Sequence, residues 1–287
     1  LDVPNDVLSP SSPPGRALVD GLETQIAVFG GSANLADQSR AIARLAATLR
    51  ERGVTAAPGV ARLEEDIALE TLPAPSADAL WIGVADDDLQ PVAIEPAGAF
   101  ILMGPPSSGR STALRALTHS LAASGAATRS FYVGSAKSPL RGLGYWDAVA
   151  TAPDAVAALA RDVAELAAVP AEEGGRIALV IEGLADFLST PADGPLVELI
   201  KALKRGDHLV IAESETSTWS SSWPLLAEMK SSRRGFAIQP DQQEGDLIFR
   251  TSFPRAKRSE FPTGRGYLVQ AGKVRRVQLA RLTEGGE

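Results

Sequence analysis

The feature that most restricts what this chain can fold into is a glycine-bounded loop, GPPSSGRST, at residues 104–112. It follows the apolar run AFILM (99–103) and opens a segment whose leucines recur at helical spacing. Gly104 and Gly109 let the backbone curl so that successive amide groups point into one concavity, and the start of a helix adds partial positive charge. Strand, loop and helix in this order predict a site for a phosphate chain.

The loop residues are the candidate nucleotide contacts, with ATP as the expected ligand. They are Gly104, Pro105, Ser107, Ser108, Gly109, Arg110, Ser111 and Thr112. Ser111 stands where a hydroxyl binds Mg²⁺ in such loops. Arg110 stands where the consensus has a lysine that reaches the β and γ phosphates, and its planar fork is bulkier than an ammonium group. A glycine-rich turn that binds nothing is the alternative interpretation.

A carboxylate follows a second apolar run, IALVIEG, at residues 177–183. Glu182 stands at the strand end that usually supplies the acid near Mg²⁺, and often the catalytic base, whereas the next residue is Gly183. We therefore predict Glu182 and Ser111 as Mg²⁺ ligands, and Arg110 and Glu182 as catalytic residues. A carboxylate that only caps the following segment is an equally open alternative.

A polar residue near the end of a third run, LVIAESE (209–215), completes the predicted site. Ser214 lies where P-loop ATPases place a sensor of the γ-phosphate, so we predict that it contacts the nucleotide. Its neighbour Glu213 would repel phosphate.

Apolar runs alternate with segments of helical spacing through the rest of the chain. The predicted strands are AFILM (99–103), SFYV (130–133), IALVI (177–181) and HLVIA (208–212), and the predicted helices are Thr112 to Ala123, Ala155 to Ala168 and Pro195 to Lys204. Buried runs of this kind predict an α/β fold with a mostly parallel sheet and helices on both faces. GRGYLV (264–269) and VRRVQLA (274–280) close the chain as a predicted hairpin at the sheet edge.

Composition excludes several kinds of site. The chain has no cysteine and two histidines, which excludes disulfides, thiolate metal centres and an ordinary zinc site. It has no stretch of the ~18 uncharged apolar residues that a membrane helix needs, and it opens on LDVPND without a signal peptide. We expect a cytoplasmic piece of a longer protein. The net charge of −7 argues mildly against a surface that binds nucleic acid throughout.

An internal repeat suggests what the N-terminal segment is. PPGRALVDGLETQIA (13–27) and FPTGRGYLVQAGKVRRVQLA (261–280) both carry proline, Gly-Arg, a turn, glutamine, an aliphatic residue and alanine. We interpret residues 1–79 as the closing hairpin of a preceding module and a linker, with a strand-helix segment at 24–53. Residues 80–287 are then the main domain.

In this order the motifs resemble those of the FtsK/SpoIIIE family of RecA-like motor ATPases. The resemblance runs through WIGVADDDLQPVAIE (81–95), the phosphate loop, SAKSPLRGL (135–143), the Glu182 strand, HLVIAESE and FPTGRGYLV. Within that family the sequence looks most like the last module of the coupling proteins of type VII secretion, the EccC proteins of actinobacteria. The resemblance implies a RecA-like P-loop NTPase domain that uses ATP and Mg²⁺ and forms a hexamer in a membrane-anchored full-length protein.

Departures from the family motifs also matter. Active members have lysine in the loop, paired aspartates at the second strand and an aspartate in the segment that here begins with Ser135; this chain has Arg110, and Glu182 followed by Gly183. A lost general base or charge stabiliser typically costs ~10²- to 10⁴-fold in rate. We therefore expect degenerate Walker A and Walker B motifs, weak nucleotide binding and ATP hydrolysis that is low or absent.

The resemblance implies that a degenerate late module recognises the C-terminal signal of a helical-hairpin secretion substrate and assembles with the preceding ATPase modules of its chain. The alternative is a DNA-translocating module for segregation or conjugation, and a structural domain without ligand is a third possibility. The acidic charge and the repeat favour secretion.

Two further clusters bear on partners. Four residues of a serine-rich loop and the helix after it are a candidate peptide groove, although core anchoring is the favoured interpretation: Trp219, Trp223, Leu225 and Leu226. A basic cluster near the closing hairpin is a candidate contact for DNA, with a solvated face as the favoured interpretation: Arg250, Arg255, Lys257 and Arg258.

Overall fold

The computed structural model describes residues 12–13, 15–32, 34–57 and 59–283. Most of the N-terminal segment that precedes the first Gly-Arg therefore lies outside the described residues. Contacts divide the chain into two compact units, Leu1–Val60 and Ala61–Glu287.

The first unit is a hairpin followed by a helix. Its strands are antiparallel, and its elements are β1 (Arg16–Val19), β2 (Leu22–Gln25) and α1 (Leu35–Glu51). Asp20 and Gly21 both have positive φ, as a two-residue type I′ turn requires. The predicted helix is confirmed. The predicted strand before it is also present, but it covers Leu22–Gln25 and its pairing with β1 ends at Gln25.

The second unit contains one ten-stranded sheet with helices. Its strands are β3 (Leu80–Ala85), β4 (Pro91–Ile94), β5 (Gly98–Gly104), β6 (Arg129–Val133), β7 (Ala148–Ala150), β8 (Ile177–Ile181), β9 (Leu209–Glu215), β10 (Gly235–Ile238), β11 (Arg265–Gln270) and β12 (Lys273–Leu279). Its helices are α2 (Arg110–Ser124), α3 (Pro153–Leu166), α4 (Ala171–Gly174), α5 (Asp193–Arg205), α6 (Thr216–Trp219), α7 (Pro224–Lys230) and α8 (Gln242–Glu244).

The strand order is β4-β3-β12-β11-β10-β5-β9-β8-β6-β7. The six strands from β10 to β7 run parallel, and the other pairings are antiparallel, so the predicted α/β class with a mostly parallel sheet is confirmed. We predicted that the closing hairpin β11–β12 lies at the edge of the sheet, and this prediction is wrong. β3 pairs with β12 and β4 forms the edge, since the unpaired backbone groups of β12 would otherwise be left without partners.

Two cores lie on opposite faces of the sheet, because successive strand residues point to opposite sides. Ile101 and Met103 of β5 join the core that includes residues of α3, α5 and α7. Phe100 and Leu102 join the core that includes the leucines of α2. These four side chains are fully buried. Helices therefore cover both faces, as predicted, and α2 defines the face on which the phosphate loop begins.

Residues 61–79 group with the second unit, although the sequence suggested a boundary at its end. Leu63, Ile67 and Leu72 pack with Ala280, which follows β12. The Leu69 N–H donates to the Arg281 carbonyl at 2.8 Å. The prolines of this stretch prevent regular structure, but its aliphatic side chains still cover the end of the closing hairpin.

The two hairpins share their local geometry, which supports the internal repeat. Arg16 lies opposite Gln25 in the first, and Arg265 lies opposite Gln278 in the second. Each arginine follows a glycine of nearly equal backbone angle, Gly15 with φ +83° and Gly264 with φ +79°. Each turn has two successive residues with positive φ, Asp20 and Gly21 in one and Ala271 and Gly272 in the other.

Candidate functional site

The phosphate loop connects the buried end of β5 to the start of α2. Gly104 leaves no room for a side chain, because a Cβ there would lie 2.5 Å from Ser108 Oγ. Gly109 has φ +99° and is the N-cap of α2. Gly104 is thus required by the close approach of Ser108 and Gly109 by its positive φ.

Ser107 and Ser108 distinguish this loop from a relaxed glycine-rich one. Ser107 has φ +61°, a left-handed conformation that glycine adopts without strain and serine does not. Ser108 is 1% exposed, and its Oγ has no hydrogen-bond partner among the described residues. The Gly264 N–H donates to the Ser108 carbonyl at 3.0 Å, which ties the loop to the closing hairpin.

Arg110 is engaged by two carboxylates of β9. Its Nη1 donates to Glu213 Oε1 at 2.6 Å, and its Nη2 donates to Glu215 Oε1 at 3.4 Å. The guanidinium side chain is 17% exposed. The cation that the sequence assigns to a phosphate chain is therefore already paired within the protein.

Glu213 is a residue whose role the sequence reasoning missed. It is 5% exposed, and its Oε2 accepts a hydrogen bond from the Gly183 N–H at 3.0 Å. Loss of hydration on burial raises the pKa of Glu213, against the lowering effect of Arg110. One carboxylate thus joins the start of α2 to the end of β8.

Ser214 lies on the other side of β9. Its neighbours Ala212 and Val210, which share its face, belong to the core with α3, α5 and α7. The Ser214 Oγ donates to Thr218 Oγ1 at 3.1 Å, and the residue is 2% exposed. Ser214 is therefore not brought together with Arg110, and its contact with a nucleotide stays a prediction.

Glu182 and Ser111, the two predicted Mg²⁺ ligands, line one cavity of about 200 Å³ together with Thr112 and Ser138. The carboxylate of Glu182 accepts a hydrogen bond from the hydroxyl of buried Tyr132. Burial and this carboxylate raise the pKa of the Tyr132 phenol, so it stays a donor. A hydroxyl and a carboxylate are oxygen donors of the kind that Mg²⁺ prefers.

Gly183 differs from the usual second acid in conformation as well as in side chain. Its φ is +66°, and a Cβ built on it would lie 3.1 Å from Asp186 Oδ2. An aspartate at this position would be strained and would face another carboxylate. The backbone at this position therefore disfavours a second acid.

A cavity of about 240 Å³ adjoins the phosphate loop on the side of the closing hairpin. It is lined by Gly109, Thr112, Thr263 and Gly264, with residues 278–281 behind them. Two carboxylates, Glu65 and Asp66, also line it. The FPTGRG motif was the available signal, but it indicated a turn and not a ligand contact.

The start of α2 and the carboxylates around it have opposite effects on a nearby anion. The loop retains its curl and helix N-terminus, which favour anions. Near it are the carboxyl groups of Glu182, Glu213 and Glu215 and the guanidinium groups of Arg110 and Arg115, and Arg115 lines the same cavity as Ser111 and Glu182.

The other predicted contact residues divide into core and surface. Trp219, Leu225 and Leu226 are fully buried, so core anchoring is confirmed for them, whereas Trp223 is 42% exposed. The basic cluster at residues 250–258 is exposed at all four of its cations.

No family model and no curated protein matches this sequence. Solved structures do match. ATPases 2 and 3 of EccC from Thermomonospora curvata, in complex with a signal sequence peptide, are 24% identical with a TM-score of 0.69, over 99% of this chain and 55% of that one. The chain shares its fold with the ATPase domains of EccC.

Two further structures place this similarity in context. The cytoplasmic domain of the type VII secretion ATPase EccC from Thermomonospora curvata is 22% identical with a TM-score of 0.69, over 96% of this chain and 35% of that one. The pCW3 conjugation coupling protein TcpA, in its monomer form with ATPγS, is 13% identical with a TM-score of 0.56, over 85% of this chain and 82% of that one. This chain thus spans about half or less of the EccC structures. Every helix among its described residues is too short or too polar to cross a membrane.

Proposed function

We propose that this chain is a degenerate FtsK/SpoIIIE-type ATPase module of a type VII secretion motor, which binds nucleotide weakly and contributes substrate recognition or assembly. The observation that carries the proposal is the pairing of Arg110 with Glu213 at 2.6 Å in a fold that resembles EccC. A P-loop ATPase needs this cation for the phosphates.

The part of the proposal on nucleotide binding concerns residues 104–112. Any bound ATP would contact this loop, and Mg²⁺ would be held by Ser111 and Glu182, where it would neutralise charge on the phosphates. The cost of removing Arg110 from its carboxylates makes that binding weak. Hydrolysis is low because the second motif offers a single acid that is already hydrogen-bonded to Tyr132.

The proposed substrate recognition is supported by the EccC structure that contains a signal sequence peptide. This chain offers an apolar groove of about 390 Å³ between α2 and residues 69–75. Trp81 and Leu282 line it, and the buried Oγ of Ser120, which also lines it, has no hydrogen-bond partner among the described residues. An amphipathic helix at the C-terminus of a secretion substrate fits a groove of this chemistry.

The proposed assembly with a preceding module is supported by the hairpin at residues 16–25. Arg265 of the second hairpin is 7% exposed and donates to the carbonyls of Leu63 and Glu64 at 3.1 and 2.8 Å. Arg16, its counterpart, donates to the exposed carboxylate of Glu23. We infer that the first hairpin closes a preceding ATPase module of the same polypeptide, within a hexamer of the membrane-anchored full-length protein whose modules are cytoplasmic.

A binding titration tests the proposed recognition of a substrate peptide. A labelled peptide from the C-terminus of a cognate helical-hairpin substrate should bind the nucleotide-free chain, and Trp81→Ala should weaken it by about tenfold or more, as for an aromatic anchor worth ~1–3 kcal/mol. Trp223→Ala is the matched control and should leave the affinity unchanged. Melting temperatures of both variants separate a lost anchor from a lost fold. Absence of binding by every cognate peptide would refute the proposed substrate recognition.

The DNA-translocating alternative has less support. The TM-score with the conjugation protein is 0.56, against 0.69 with EccC. The exposed basic cluster is the feature that would serve it.

A further inference from the structure

We propose that Glu213 is an internal ligand of the phosphate loop and is the residue that excludes nucleotide from it. This inference rests on the proposed weak nucleotide site and names the group responsible. In this proposal, Arg110 of the loop is already paired within the protein. The weak nucleotide binding is then caused by Glu213 on β9 and not by the presence of arginine at position 110.

Strand alternation aims Glu213 at the loop. In the register of β5 and β9, Leu102 lies opposite Glu213 and Gly104 lies opposite Glu215. Leu102 belongs to the core under α2, and so does Ile211, two residues before Glu213 on the same strand. Both glutamates therefore continue the face from which Arg110 begins α2.

Both oxygens of Glu213 are occupied. Oε1 accepts from Arg110 at 2.6 Å, and Oε2 accepts from the Gly183 N–H at 3.0 Å. Turning this carboxylate away from the loop would break both hydrogen bonds. Glu215 is different, because its side chain is 47% exposed and its bond to Arg110 is 3.4 Å long.

A phosphate chain that enters the loop has to take Arg110 from Glu213. That leaves a carboxylate at 5% exposure without its cation, and an unpaired buried charge is strongly unfavourable. The incoming phosphates would also carry charge of the same sign as Glu213. A lysine at position 110 would meet the same carboxylate, so restoring the consensus residue does not by itself restore the site.

Equilibrium titration with a fluorescent ATP analogue and Mg²⁺ tests the proposal on the wild-type chain and four variants. They are Glu213→Gln, Glu213→Ala, Arg110→Lys and Glu215→Gln. Glutamine keeps the shape of Glu213 and can still accept from Gly183, while it removes the charge. We expect Glu213→Gln to bind the analogue at least about tenfold more tightly than wild type, Arg110→Lys to stay within about threefold of wild type, and Glu215→Gln to show a smaller gain than Glu213→Gln.

The outcomes separate this inference from the proposed function. Weak binding by wild type and Glu213→Gln, with tight binding by Arg110→Lys, would overturn the role of Glu213 and leave the weak site standing. Tight binding by wild type would overturn the weak site itself. Circular dichroism checks that each variant folds, and Glu213→Ala replaces Glu213→Gln if the latter does not. Adding Gly109→Val to the tight-binding variant should abolish the gain, because φ at Gly109 is +99° and a Cβ there would lie 3.0 Å from Thr263 Cγ2, so the loop has to change shape; a gain that survives in a folded variant would place the nucleotide elsewhere.

Discussion

Removing the cation from the Arg110–Glu213 pair should destabilise the chain more than removing the anion. In Arg110→Ala, Glu213 keeps its bond to Gly183 but loses its counter-ion at 5% exposure. Breaking a buried pair in this way typically costs ~3–5 kcal/mol. Because the Arg110 side chain is 17% exposed, we expect about 2–3 kcal/mol here. Glu213→Gln leaves a better-hydrated guanidinium beside Glu215 and should cost less than about 1 kcal/mol.

Urea unfolding followed by circular dichroism at pH 7 and pH 5 measures both differences. Burial raises the pKa of Glu213, so its charged form is unfavourable in the folded state above that pKa, and this cost is relieved as the pH falls through it. The loss of unfolding free energy in Arg110→Ala should therefore be smaller at pH 5 than at pH 7. The double variant Arg110→Ala/Glu213→Gln should recover most of this loss at pH 7. A Glu213→Gln variant as unstable as Arg110→Ala, or a deficit that is equal at both pH values, would refute the reasoning.

Three other outcomes are expected. Gly109→Val should lower the melting temperature, since φ is +99° and its Cβ would lie 3.0 Å from Thr263 Cγ2, while Gly142→Val, with open space around it, should not. Glu244→Gln should flatten the fall in melting temperature as pH rises from about 4.5, because desolvation raises the pKa of Glu244 to about 7; an unchanged profile would contradict this. Duplex DNA should bind weakly with a shallow salt slope in a fluorescence titration, and tight, salt-sensitive binding would revive the translocase alternative if it were lost on reversing three charges: Arg255, Lys257 and Arg258.

Hydrophobic periodicity predicted the central elements of the fold. β8 covers Ile177–Ile181, the same residues as its apolar run, and α2 and α5 cover their predicted segments, whereas α3 ends at Leu166, two residues before the predicted end. Of the missed strands, β4, β7 and β10 have only three or four residues, whereas β3 has six and directly follows the irregular proline-containing stretch. β4 starts with Pro91, and β10 has four residues that follow two arginines. Because β3 and β4 were missed, the closing hairpin was assigned to the sheet edge.

The site was predictable where it depends on local sequence and not where it depends on partners across the sheet. The loop lies between β5 and α2, where the local sequence placed it, and Ser111 and Glu182, which were predicted as Mg²⁺ ligands, line one cavity. Glu213 was interpreted only as a residue that would repel phosphate, and its pairing with Arg110 was missed because it joins β9 to the start of α2, 103 residues apart in the sequence. Period-two alternation along LVIAESE was the available signal, since it puts Glu213 and Ser214 on opposite faces.

Steady-state phosphate release with saturating Mg-ATP, with and without a cognate signal peptide, tests most directly the claim that this is a degenerate ATPase module. Low affinity is overcome by concentration, so the rate reports the chemistry alone. We predict a rate near background in both conditions, because the loop cation is paired with Glu213 and the second motif has one acid. A rate of ~1 s⁻¹ or more, in the ordinary enzyme range, would contradict the account.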